Sequence, residues 1–289
     1  MRHCAGFLLA ALVLGANPAC AQKNGLAFWE LDAQHVDPVL QLAPKKDAVR
    51  LDFLRRSFAN FECSAARMQE QPAGRHNARN LLCTLPGQTS DTILVLTRFD
   101  DRSKTRPTWP DALMLPLLYH ALQAQPRQHT FVFVAVDGDS GVDAFSRWQH
   151  RPGQSSPATT IVLDNLALGR LRLFLTQPRH HDKIVPGESP LKLMNDEATK
   201  TAQLMHMPDP TGVWAYEYSD VSSLLGQQFQ QVTQSTLAYA ALQSPEAILY
   251  SQIGTPMSST AFHQDFDFLA WYLCDIDTKL PPTGQPAPH

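Results

Sequence analysis

Four apolar runs stand out along the chain: Thr92-Ile93-Leu94-Val95-Leu96-Thr97, Phe131 to Val136, Ala158 to Asp164 and, more weakly, Ala247 to Ser251. None alternates apolar with polar residues, which is the pattern of strands covered on both faces. Between the first two, Leu113, Leu117, Leu118 and Ala121 mark one face of a helix starting near Asp111, in which Pro116 must sit in the first turn or cause a kink. Val49, Phe53, Leu54 and Phe58 recur at helical spacing at the end of an otherwise loop-like stretch over 22–60. Further helices are predicted over 140–149, 190–206 and 221–243. Phe61 to Met68 and Ala78 to Leu85 read as two strands joined by the turn-rich Gln71-Pro72-Ala73-Gly74.

Strand, helix, strand in this order predicts an α/β fold: a single domain with a central mixed, mostly parallel sheet and helices on both faces. No internal repeat is visible. The proline-rich 281–289 reads as a loose tail. At the other end, Arg2, the apolar run from Phe7 to Ala16 and the small residues Ala19-Cys20-Ala21 follow the order of a secretory signal peptide over 1–21. That run is shorter than the roughly 20 residues a membrane span needs. The expected domain is therefore 22–280, secreted or periplasmic, with no membrane span.

Composition narrows the function classes. The 289 residues are 44% hydrophobic and 18% charged with a net charge of −3. This is too apolar for a disordered chain and too acidic for a phosphate-binding groove, so no nucleic-acid partner is expected. Of the five cysteines, Cys4 and Cys20 fall in the leader. Paired strands would bring Cys63 and Cys83 within bridging distance, while three unpaired buried thiols with Cys274 fit equally well.

In an open α/β sheet, ligands bind beyond the carboxyl ends of the strands. The residues there are Arg98-Phe99-Asp100 after the first run, Asp137-Gly138-Asp139-Ser140-Gly141 after the second and Asp164-Asn165 after the third; Glu246 precedes the fourth. Acidic groups thus gather at one sheet edge. Gly138-Asp139-Ser140-Gly141 resembles a serine-protease motif, but its strand-to-helix context points to a turn opening a helix, with Asp139 or Ser140 as cap. His180-His181-Asp182 reads as a solvated loop rather than a metal cluster, because adjacent side chains rarely face one ion.

Taken in order, these motifs, with Ser244-Pro245-Glu246 and Ile253-Gly254-Thr255-Pro256, are similar to those of the M28 zinc exopeptidases. That family includes aminopeptidases, glutaminyl cyclases and the non-catalytic nicastrin. The resemblance covers roughly residues 60–270 and implies a two-zinc site. Its pattern departs from the family at several ligands. Where the family has His-x-Asp, this chain has Arg98-Phe99-Asp100; the paired glutamates fall on Asp139 and Ser140; and the final histidine position carries Glu246. Asp111 and Asp164 match the bridging and later aspartate ligands, and His263 resembles a histidine beside the substrate. Arginine is a permanent cation and repels Zn²⁺. Thr97-Arg98-Phe99-Asp100-Asp101-Arg102-Ser103 looks closer to the corresponding segment of nicastrin than to that of an active peptidase.

The resemblance therefore implies a pseudopeptidase without a cofactor, binding a peptide or protein ligand through Arg98, His263 and Glu246. Asp100 and Asp139 then mark degenerate catalytic positions, and Arg98 is expected to pair with Asp111 or Asp164. The alternatives are a hydrolase using Zn or another divalent cation at Asp111 and Asp164 with Asp139 as base, and a purely structural module.

Overall fold

The computed structural model describes residues 21–23, 26–28, 31–74, 78–100, 108–149, 151, 157–176, 190–211, 246–251 and 257–281. Residues 1–20, His180-His181-Asp182, the expected helix over 221–243 and residues 282–289 lie outside these residues.

The apolar runs become the four parallel strands at the centre of a seven-stranded sheet: β5 (Thr92–Arg98), β6 (Thr130–Val136), β7 (Thr159–Asp164) and β9 (Glu246–Ser251). Around them lie β3 (Met68–Pro72), β4 (Arg79–Leu85) and β8 (Leu171–Thr176), giving the order β3-β4-β6-β5-β7-β9-β8. The β3–β4, β4–β6 and β8–β9 pairings are antiparallel, so the sheet is mixed and mostly parallel at its centre, as expected. β1 (Ala21–Lys23) and β2 (Leu26–Phe28) form a separate two-stranded ribbon.

The lack of alternation in the central strands has a direct cause. Ile93, Val95, Phe131, Phe133, Ile161 and Leu163 enter one core, while Leu94, Leu96, Val134, Val136 and Val162 enter another on the opposite face. The larger core is covered by α2 (Asp47–Asn60), α3 (Trp109–Gln123), α5 (Pro190–Leu204) and α6 (Ser259–Lys279), with α1 (Ala33–Gln41) packed on α3 and α6. The smaller core is covered by α4 (Gly138–Gln149) through Val142 and Phe145. α3 is buried on every side, with only His120 and Gln123 partly exposed, so it lacks the polar stripe of a surface helix.

Several expectations are corrected. Phe61 to Met68 is not a strand: α2 ends at Asn60, Glu62 takes a left-handed φ of 65°, and β3 begins at Met68. Cys63 in that turn nevertheless meets Cys83 of β4 in a disulfide, with Cα atoms 6.5 Å apart, and Cys274 remains a buried free thiol. Pro110 occupies the first turn of α3, whereas Pro116 lies in its interior and has no N–H for the carbonyl of Ala112. The stretch over 22–60 holds β1, β2 and α1 besides α2. β8 and α6 are also additions, although Phe262, Phe266, Leu269, Leu273 and Ile276 sit at helical spacing behind the N-cap Ser258.

Candidate functional site

The carboxyl ends of β5, β6 and β7 meet at one edge of the sheet. Arg98 pairs in register with Val136, and Leu96 with Val162. Carried two residues further, that register sets Arg98 beside Asp164.

Arg98 is buried, and its guanidinium forms a two-point pair with the equally buried Asp100: Nε donates to Oδ1 at 2.8 Å and Nη2 to Oδ2 at 2.9 Å. Asp100, two residues along the chain, is thus a partner of Arg98 that sequence reasoning did not name. The backbone between the two residues is held from three sides. The Phe99 N–H donates to the Val136 carbonyl at 3.2 Å. The Phe99 carbonyl accepts from Nη1 of Arg50 at 2.9 Å, and the Asp100 carbonyl from the Thr108 hydroxyl at 2.6 Å. Arg50 is itself buried on α2, donates to the Pro44 carbonyl at 2.6 Å and lies 5.8 Å over the Trp109 ring.

Asp111 sits in the first turn of α3, fully buried. Its Oδ2 accepts the backbone N–H of Asn165 at 2.9 Å and its Oδ1 that of Leu166 at 2.6 Å. The next amide, Ala167, donates to Oδ2 of Asp265 on α6 at 2.8 Å. Two non-glycine residues in this short loop hold left-handed conformations, Asn165 with φ 53° and Ala167 with φ 65°. Such backbone is costly and persists where surrounding contacts over-determine it. Here two carboxylates hold three consecutive amides. Burial, and next the neighbouring charge of Asp164, push the Asp111 carboxyl well above the usual carboxylate range; Asp265 adds a smaller push in the same direction. Asp111 and Asp265 thus flank the loop that follows Asp164.

The other expected site residues are placed elsewhere or only in part. α4 begins at Gly138, so Asp139 and Ser140 lie in its first turn rather than capping it, and Gly74 of the β3–β4 connection packs against Ser140. Glu246 opens β9. The side chains of Asp139 and Glu246 lie outside the described part of the structure. His263 turns away from Asp265 and faces Asp37 of α1, its Nε2 3.0 Å from Oδ1. Among the described residues, no group of three or more His, Cys, Asp and Glu side chains is arranged to hold a metal ion.

Sequence reasoning missed three residues that organise this edge: Arg50, Asp265 and Asn80. Asn80 on β4 accepts the Asp137 N–H at 3.0 Å and donates to the Gly141 carbonyl at 2.7 Å and to Gln71 at 3.0 Å, which ties the start of α4 to the edge hairpin. For Asp265 a signal existed: an acid between Phe262 and Phe266 on the apolar face of a helix must find a donor when buried.

Neither a protein-family model nor a curated protein matches the chain. Solved structures do. The LapA aminopeptidase of Legionella pneumophila aligns over 90% of this chain and 79% of its own, with a TM-score of 0.57 and 9% identity. A glutaminyl cyclase from an Acidobacteriales bacterium aligns over 85% and 93%, with a TM-score of 0.57 and 11% identity. The glutaminyl cyclase of Porphyromonas gingivalis aligns over 84% and 96%, with a TM-score of 0.56 and 11% identity. The fold is that of the zinc exopeptidases. At these identities the fold is what the proteins share. No helix among the described residues is long and apolar enough to cross a membrane.

Proposed function

We propose that this chain is an exported, non-hydrolysing relative of the aminopeptidases and glutaminyl cyclases whose fold it shares, binding a peptide or protein partner at the carboxyl edge of its sheet. The observation that carries this reading is the engagement of Asp111. The residue that the resemblance assigns to bridging two zinc ions instead receives the amides of Asn165 and Leu166, one on each oxygen. A metal ligand must be deprotonated and free to point at the ion. Asp111 is held by the loop, and Asp100 is gripped through both oxygens by Arg98. Both engagements spend carboxylate lone pairs on the protein itself, which supports the non-hydrolysing reading. Export rests on the leader-like residues 1–21.

The test is metal analysis of purified protein together with a panel of aminopeptidase and glutaminyl-cyclase substrates. The expected result is no stoichiometric metal and no cleavage or cyclisation. Stoichiometric zinc with EDTA-sensitive turnover overturns the reading.

One observation favours a second reading, a metal-dependent hydrolase. Asp111 and Asp265 flank the loop that follows Asp164, and the charges of Asp164 and Asp265 both raise the proton affinity of Asp111; carboxylate oxygens suit a hard cation better than zinc. Calcium- or magnesium-dependent turnover in the same panel would favour it.

A further inference from the structure

We propose that Arg98 is the resident cation of this sheet edge: its guanidinium supplies, covalently, the positive charge that the gathered carboxylates would otherwise draw from a bound divalent ion. This inference deepens the non-hydrolysing reading but rests on a different observation, the Arg98–Asp100 pair.

Three features carry it. The first is position. β5 lies between β6 and β7, so Arg98 ends the central strand of the edge. Leu94, Leu96 and Val162 line the face covered by α4, and the same alternation carries Arg98 and Asp164 onto that face as cross-strand neighbours. Adjacent strands are about 4.8 Å apart, so the Arg98 and Asp164 side chains leave the sheet from neighbouring positions, and a permanent guanidinium charge shares that face with any ion drawn to Asp164.

The second is charge. The buried acids of this edge, among the described residues, are Asp100, Asp111, Asp137, Asp164 and Asp265, and Arg98 is buried among the same elements. A buried acid is tolerated when it is paired or hydrogen-bonded. Asp111, Asp137 and Asp265 are served by backbone amides, and Asp100 by Arg98.

The third is geometry. The guanidinium meets the carboxylate as a planar fork at 2.8 and 2.9 Å, the arrangement that lysine cannot reproduce. The Phe99 carbonyl, anchored by Arg50, fixes the backbone between the two partners, so the pair is set before any ligand arrives.

The experiment follows thermal unfolding of the full chain with EDTA and with added Zn²⁺, Mg²⁺ or Ca²⁺. The wild type is expected to keep the same midpoint in every condition. Arg98→Met leaves Asp100 buried without its cation, so its midpoint is expected to fall, and an added divalent ion is expected to restore part of the loss. Should Arg98→Met not fold, Arg98→Gln provides the same comparison, since it also removes the charge while keeping a hydrogen-bond donor. Arg98→Met/Asp100→Leu removes both charges and is expected to recover most of the midpoint without responding to metal.

A wild type stabilised by Zn²⁺ overturns the inference, as does a destabilised Arg98 variant that no divalent ion rescues. The two readings fail separately. Metal-dependent stability in a protein that turns over no substrate removes the role of Arg98 and leaves the non-hydrolysing function. Turnover in a protein indifferent to EDTA does the reverse.

Discussion

Asp111 on α3 accepts the backbone N–H of Leu166 at 2.6 Å, across 55 residues of sequence. The bond joins the buried helix of the larger core to the loop leaving β7, and its partner bond to Asn165 at 2.9 Å completes a two-amide clasp. A buried acid thus serves as a loop anchor.

Asp111→Ala should therefore destabilise the fold strongly. It leaves two buried amides without acceptors, at about 1–3 kcal/mol each, in a loop that already holds left-handed backbone at Asn165 and Ala167. A loss of roughly 2–5 kcal/mol in urea unfolding is expected. A variant within about 0.5 kcal/mol of wild type, the range of an ordinary surface change, would show that the clasp carries no weight.

The same carboxyl makes stability depend on pH. Its folded proton affinity is raised, by burial first and by Asp164 next. Between the unfolded value of about 3.9 and the raised folded value, the native state binds a proton that the unfolded chain has released. The stability this contributes is complete below the unfolded value and is lost as pH rises through the folded one. Asp111→Asn carries no such proton and should show a flatter profile, though at lower absolute stability because its amide nitrogen faces a backbone donor. Unfolding midpoints of both proteins across acid to alkaline pH supply the comparison, and parallel profiles would refute the assignment.

Cys63–Cys83 ties the turn after α2 to the buried centre of β4 and spans 20 residues. Replacing both cysteines with alanine should cost about 3 kcal/mol by loop closure. Cys274 is buried, and its thiol is pushed up first by burial and then by Asp277 and Asp275. If residues 1–21 are removed as the proposed export requires, a thiol reagent should find nothing to modify in the native protein and one thiol per chain once it is unfolded without reductant. More than one would mean that Cys4 and Cys20 are retained or that the bridge is absent.

Gly141 lies in the first turn of α4, where an added methyl group would sit 2.4 Å from Oδ1 of Asn80. Alanine gains about 1 kcal/mol of helix propensity over glycine. The displaced Asn80 side chain would release the Asp137 amide, the Gly141 carbonyl and Gln71 together. Lost buried hydrogen bonds outweigh the propensity gain, so Gly141→Ala should lose about 1–3 kcal/mol. A stabilised variant would mean that Asn80 adapts.

The central strands were legible because their signal is local. An apolar run from Thr92 to Thr97 reads as a strand buried on both faces wherever it is placed, and the four such runs became β5, β6, β7 and β9. α3 was legible for the same reason. α6 was obscured by Asp265, Asp267, Asp275 and Asp277, interleaved with its apolar residues. Two of these acids are buried and serve distant amides: Asp265 receives Ala167, and Asp277 receives Gln128 and His129 at 2.8 and 2.7 Å. Such an acid breaks the apolar pattern while stabilising the fold.

By itself, the sequence determined the α/β class, the parallel centre of the sheet and the edge at which Arg98, Asp111 and Asp164 assemble, because periodicity and element order are properties of the chain. The tertiary structure alone decided what each charge holds. Arg98 closes on Asp100 two residues away, His263 turns to Asp37, and Asp111 grips the amides of Asn165 and Leu166. A carboxylate takes whichever donor the packed helices and strands bring within about 3 Å. A backbone amide has no side-chain signature, so that partner exists only once the chain is folded.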